Sequence, residues 1–248
     1  MKNNSPPTQI QYKYYYFGPF LFHTRITPEE CQMVVKEGNK CRQKAYDFRH
    51  ELAGHLSEEY ELKDKKRIGE WLKKYLESYT IAYNEWRGGT KHMQPHFQLT
   101  ALWINYMKAH DFNPPHEHGA DLSFVFYPDV PEELYKENKA FTGNAAGPGA
   151  ISWKYGEGSR QCVNTVDIFP TTGDMFIFPA SLQHWVYPFR SNVERLSVSG
   201  NILFEKDSRT SFLGDKKKDG NNPILKEEDI NLNEGGGGGS NFEHSDKR

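Results

Sequence analysis

The chain has 248 residues, 36% of them hydrophobic and 26% charged, and Lys+Arg 31 against Asp+Glu 33 gives a formal net charge of −2. That is an ordinary globular composition, long enough for one sizeable core. It excludes the basic field that would hold nucleic acid or an anionic membrane non-specifically.

In chain order, residues 12–22 are aromatic-rich and predict an extended strand entering the fold. Thr27-Pro28-Glu29-Glu30 is a helix start, with Thr27 as N-cap, Pro28 at the first position and Glu30 completing a capping box. Cys31, Val34, Val35, Cys41 and Ala45 continue at helical spacing, with Gly38 as a weak point. Ile68, Trp71, Leu72, Tyr75, Leu76, Tyr79, Tyr83 and Trp86 mark one face of a second helix that stops at Arg87-Gly88-Gly89. This aromatic stripe reads as core, and Lys65, Lys66, Glu70, Lys73, Lys74 and Glu77 as its solvated opposite. Beyond residue 95 the period becomes strand-like, over 97–107, 122–127, 150–155, 163–168, 174–178, 184–188 and 195–204. Strands without intervening helices predict an antiparallel sandwich or barrel. The segment 128–149 reads as a long irregular insert, a lid or substrate loop. From about 206 the polar composition and the run Gly235 to Gly239 predict a flexible tail.

Chemistry concentrates in three runs. His116-Glu117-His118 follows Asn113-Pro114-Pro115, and in an extended segment residues i and i+2 share a face, so both imidazoles can converge while Glu117 points away. His184 follows the turn and buried strand Gly173 to Phe178, and Arg195 and Ser197 alternate on a later strand. Three imidazoles suit iron, zinc, copper or nickel, and a guanidinium beside a hydroxyl is a receptor for a carboxylate. Singly, each run has a blander meaning: a chance surface H-x-H, a core histidine at 184, a surface Glu194–Arg195 ion pair.

The ordered set N-x-x-H-x-H, S-x-V-x-Y, G-D-x-x-x-F-P-(x)4-H-x-V-x-P-F and E-R-x-S-x-S-x-N, over residues 100–204, resembles the iron(II)/2-oxoglutarate-dependent oxygenases. More narrowly it resembles the phage-type oxygenase branch related to prolyl 4-hydroxylases. The resemblance implies a mainly β double-stranded β-helix, a jelly roll of the cupin kind, with an α-helical N-terminal part packed on one sheet. The expected division is 1–95 for the N-terminal strand and supporting helices, 96–206 for the oxygenase core and 207–248 for the tail, within a single domain. The resemblance makes His116 and His184 iron ligands and gives Arg195 and Ser197 the distal carboxylate of 2-oxoglutarate. Tyr106 stands where many prolyl hydroxylases keep a tyrosine on the co-substrate.

One position departs from the family pattern, because the usual H-x-D/E pair is H-x-H. His118 is the favoured third ligand on its two-residue spacing, and Asp121 is the alternative. The implied cofactors are Fe(II) and 2-oxoglutarate, supported by ascorbate, with dioxygen consumed. The expected reaction is hydroxylation of a C–H bond. A protein or peptide substrate is favoured, with a nucleobase or a small metabolite left open. Two other readings stay open: a three-histidine cupin-type dioxygenase without 2-oxoglutarate, and an inactive β-sandwich binding module. No run approaches the ~18 apolar residues of a membrane span. The polar N-terminus lacks a secretory signal, and three cysteines without C-x-x-C spacing give neither a disulfide framework nor a zinc site. These features predict a reduced, cytoplasmic protein, in the host cytoplasm if the chain is viral. His110 is a candidate to support the ligands, and Cys162 is expected in the core.

Overall fold

The computed structural model describes residues 18–87, 96–159 and 161–204. Every described residue lies in one compact unit, within Met1–Phe212. Most of the expected strand over 12–22, the Gly88-Gly89 stop and the tail fall outside the described residues.

β1 (Phe22–Arg25) leads into α1 (Pro28–Gln43). The capping box is formed: Thr27 Oγ1 accepts from the Glu30 N–H at 3.3 Å, and Glu30 Oε2 accepts from the Thr27 N–H at 2.9 Å. Glu30 also accepts from Trp71 Nε1 at 2.8 Å and Tyr75 Oη at 2.7 Å, so the residue that caps the first helix also ties it to the second. After β2 (Glu59–Glu61), α2 (Lys65–Trp86) starts on Asp64 and buries Ile68, Leu72, Tyr75, Leu76 and Tyr79 of the expected stripe, whereas Trp86 at its end is exposed.

The rest is β3 (Phe97–Met107), β4 (Asn113–His116), β5 (Leu122–Asp129), α3 (Glu132–Ala140), β6 (Ile151–Lys154), β7 (Thr165–Ile168), β8 (Asp174–Pro179), β9 (Gln183–Val186) and β10 (Arg195–Phe204). They form two antiparallel sheets, a major one ordered β1-β8-β5-β10-β3-β2 and a minor one ordered β4-β9-β6-β7. This is the double-stranded β-helix the motifs implied. Both helices of the N-terminal part pack on the outer face of the major sheet, with Leu72, Tyr79, Ile104, Phe126 and Val198 in one apolar cluster. Val125, Tyr127, Phe176, Phe178, Trp153 and Val186 fill the space between the sheets. β5 and β8 are buried along nearly their whole length because both faces are covered. β1 and β2 come from the N-terminal part yet pair into the major sheet, so the helical front and the core share one hydrogen-bonded framework.

The insert 128–149 departs from expectation, because it contains α3. Pro131 sets the entry, Glu132 and Glu133 sit in the first turn where the helix dipole favours anions, and Leu134 is fully buried. Asn138 Nδ2 donates to the Ala146 and Pro148 carbonyls at 3.2 and 2.9 Å, folding the glycine-containing return onto the helix. Gly149, at φ 74, lies where a Cβ would sit 3.0 Å from Leu134. Cys162, expected in the core, is exposed, since it lies in the loop before β7.

Gly38, weak by helix propensity, is a point of close approach between α1 and β3. A Cβ there would overlap Ile104 Cδ1 and lie 2.9 Å from Tyr106 Oη. Alanine gains ~1 kcal/mol of helix propensity, but overpacking against a buried, β-branched Ile104 costs ~1–3 kcal/mol. Gly38→Ala is therefore expected to lower the thermal midpoint; a raised midpoint would show that the helix can shift outward at little cost.

Candidate active site

The minor sheet carries two of the histidines side by side. His116 ends β4 directly opposite His184 on β9, with ring centroids 4.2 Å apart. His118 lies just past the end of β4, so strand alternation alone does not place it. The loop that carries it is fixed by backbone bonds from His118 N–H to Ala180 O at 2.9 Å and from Asp121 N–H to Ile202 O at 3.0 Å. Its ring stands 5.0 Å from that of His116 and 5.2 Å from that of His184. One ligand atom from each of the three lies within 4.8 Å of the others.

The tautomers are set by the backbone. His116 Nδ1 meets the Pro114 carbonyl at 2.7 Å and His184 Nδ1 meets the Leu182 carbonyl at 2.9 Å. A carbonyl can only accept, so each Nδ1 carries its proton and each Nε2 keeps a free lone pair. Burial depresses all three pKa values, His118 to about 4 and His184 to about 3. The rings are neutral at physiological pH and free of proton competition for a cation. Phe178 stacks edge-on against His184 and Trp103 tilts over His118, walling the group with aromatic surface. This donor set fits a borderline metal ion such as iron(II) with open positions facing the cavity.

Asp121, the alternative third ligand, is committed elsewhere: its Oδ2 accepts from the Phe204 N–H at 2.7 Å. The structure brings His118, and not Asp121, to His116 and His184.

Across the cavity, the major sheet presents Arg195 and Ser197, which are 2% and 3% exposed. Arg195 donates to the Gly149 carbonyl at 2.8 Å and to Met107 Sδ at 3.0 Å, its Nε has no partner, and its guanidinium lies 5.1 Å from the Tyr127 ring centroid. No carboxylate pairs with it among the described residues. A buried guanidinium held only by a carbonyl and a thioether is costly unless an anion enters, and burial lowers its pKa accordingly. The Tyr127 hydroxyl beside it is also buried and unpartnered. An orphaned arginine N–H and an orphaned hydroxyl fit the distal carboxylate of a dicarboxylate such as 2-oxoglutarate.

Tyr106 is corrected. Its neighbours Asn105 and Met107 line the cavity, so Tyr106 takes the opposite face, where its hydroxyl donates to Asn39 Oδ1 at 2.9 Å and Arg42 covers its ring at 4.2 Å. His110 sits at φ 72 on an exposed turn and supports no ligand histidine. Glu194, read as a possible partner of Arg195, instead pairs with Arg42 at 2.9 Å. Sequence reasoning missed Asn105, whose Nδ2 donates to Ser197 Oγ at 3.2 Å, and Tyr127. Tyr127 stood in the quoted motif without a role, and alternation with Val125 was the signal that it faces inward.

Two facing sheets, with three neutral histidines at the end of one and a buried, unpaired arginine on the other, make a site suited to a metal ion and an anionic ligand. Residues 101–201, the segment that carries the histidines and Arg195, match the family model described as "Putative 2OG-Fe(II) oxygenase". The match bears out the oxygenase resemblance at the level of the family. Among solved structures, the chain is similar to an oxidoreductase of the 2OG-Fe(II) oxygenase family from Burkholderia pseudomallei, at 18% identity over 50% of this chain and 51% of that one, TM-score 0.33. The chain thus spans about half the length of that protein. A prolyl-4-hydroxylase from Pseudomonas putida is 13% identical over 75% and 91% of the two chains, TM-score 0.44. A prolyl hydroxylase from Trichoplax adhaerens, in complex with a hypoxia inducible factor oxygen degradation domain peptide fragment, is 11% identical over 77% and 84%, TM-score 0.44. No curated protein matches the chain in sequence.

Proposed function

We propose that the protein is a non-haem iron(II)- and 2-oxoglutarate-dependent dioxygenase that hydroxylates a C–H bond of a protein or peptide, in the manner of a prolyl hydroxylase. The observation that carries this reading is the pairing of three neutral imidazoles, two of them with their Nδ1 held by backbone carbonyls and Nε2 free, with a buried guanidinium that has no carboxylate of its own. In this reading His116 and His184 hold iron through Nε2, and His118 supplies the third nitrogen. Arg195, Ser197 and the Tyr127 hydroxyl hold the distal carboxylate of 2-oxoglutarate. Bound iron and co-substrate supply oxidative decarboxylation to succinate and carbon dioxide and the transfer of one oxygen atom to the substrate. The chain's own residues bind, orient and exclude water: Phe178, Trp103 and Met107 keep the cavity apolar around its few polar groups.

The functional core in this reading is 96–206, with 1–95 supporting it and 207–248 as an appended tail. In this reading its motif order, which resembles that of the phage-type branch, places it there. The free cysteines Cys31 and Cys41, both buried, fit the reducing cytoplasm.

The expected result is succinate formed with iron(II), ascorbate and dioxygen, coupled on a peptide panel to a product heavier by one oxygen. Iron-loaded protein that forms no succinate would overturn the reading. The all-histidine triad favours a second reading, a cupin-type dioxygenase in which Arg195 binds a carboxylate on the substrate; that enzyme oxidises its substrate without consuming 2-oxoglutarate.

A further inference from the structure

Glu59 is 1% exposed, and both of its carboxylate oxygens are buried without a hydrogen-bond partner. No sequence motif and no step of the proposed reaction uses it. It stands directly opposite Asn105 across the β2–β3 ladder, and Asn105 stands directly opposite Ser197 across the β3–β10 ladder. Residues paired in this way share a face, so the three side chains form one row that ends in the carboxylate pocket beside Arg195. Asn105 Nδ2 donates to Ser197 Oγ, while Asn105 Oδ1 is itself buried and unpartnered. At the other end Glu59 Oε1 meets Gly54, where a Cβ would lie 3.2 Å from it and 3.1 Å from the unpartnered Asn113 Oδ1. With the Asn105 amide turned to Ser197, an ionised carboxylate here has no donor; a neutral acid needs one acceptor for its O–H, and Asn105 Oδ1 is one without a donor.

We propose that Glu59 is a positioning residue for the co-substrate's distal carboxylate: as a carboxylic acid it donates to Asn105 Oδ1, Asn105 Nδ2 donates to Ser197 Oγ, and the Ser197 O–H is left to donate into the pocket. The inference rests on the proposed role of Ser197 at 2-oxoglutarate. Ionisation of Glu59 reverses the row. The Asn105 amide then donates to the Glu59 carboxylate, Ser197 donates back to Asn105, and the pocket meets a lone pair where it had a proton. Burial pushes the Glu59 carboxyl up to about 7, with Asp111 and Asp47 adding to the effect and Arg49 opposing it. These three are the charged groups that face Glu59, Asp111 from the turn before β4 and Asp47 and Arg49 from the segment after α1.

The test is calorimetry of 2-oxoglutarate binding to the iron(II)-loaded protein under nitrogen, between pH 6 and 8.5, in buffers of different ionisation heat. The wild type is expected to bind roughly 10-fold or more tightly at pH 6 than at 8.5 and to take up a proton near pH 8. Glu59→Gln keeps a donor and binds with no pH dependence and no uptake, whereas Glu59→Leu binds weakly throughout. A second measurement is independent of the co-substrate. A folded pKa above the unfolded value gives stability that is complete below about 4.5 and lost as pH rises through about 7, so Glu59→Gln should gain on the wild type in thermal midpoint over that interval. Binding in the wild type without pH dependence or proton uptake would overturn the inference while leaving the proposed function in place. Iron-loaded protein that binds no 2-oxoglutarate at any pH would overturn both.

Discussion

His184→Ala and His118→Ala are each expected to abolish tight iron(II) binding, while Asp121→Ala keeps it within about tenfold. The three imidazoles are the only His, Cys, Asp and Glu group among the described residues whose ligand atoms converge closely enough to share an ion. Removing one of three protein ligands leaves two neutral nitrogens, which hold a labile divalent ion poorly. Asp121 contributes to the loop, through its bond to the Phe204 N–H, so its loss loosens the carrier of His118 without removing a donor. Changes next to a ligand typically cost ~10–100-fold, and this one acts at a further remove. Anaerobic iron titration of the three variants, with circular dichroism to show that each is folded, reads the difference. Tight iron in His118→Ala would return the third ligand to Asp121.

What the sequence made legible was whatever depends on period. β3 and β10 coincide with the expected 97–107 and 195–204 because long alternation between two apolar environments leaves little choice of register. The capping box and the stripe of α2 were equally plain, each being a local pattern with a local cause. Four things were hidden. β2 is three residues, Glu59-Tyr60-Glu61, with no hydrophobic alternation; it exists because β3 offers an edge to pair with. α3 was masked by the glycines that follow it, although Pro131-Glu132-Glu133 is a helix start. Tyr106 was misplaced by a single residue of phase, which in a strand is the whole distance between the cavity and the outer face. Glu59 could not have been assigned at all without the sheet order, since Asn105 and Ser197 are its neighbours only through two successive pairings.

The same logic of pairing bears on Arg195, the proposed partner of the co-substrate's carboxylate. Arg195→Met is expected to leave iron affinity near wild type and to weaken 2-oxoglutarate roughly 10–150-fold, the effect of losing ~1.5–3 kcal/mol from a charge-assisted hydrogen bond. The variant should stay folded. Arg195 is buried with one carbonyl, one sulfur and an idle Nε as its surroundings, and replacing a buried unpaired charge by an apolar side chain of similar length is neutral or stabilising. The thermal midpoint without co-substrate should therefore hold or rise, while the midpoint shift that 2-oxoglutarate produces in the wild type disappears. Arg195→Lys keeps the charge but loses the planar fork, and should recover only part of the affinity. Wild-type affinity for 2-oxoglutarate in Arg195→Met would remove the guanidinium from co-substrate binding. It would leave the three histidines serving a reaction in which Arg195 recognises a carboxylate on the substrate instead.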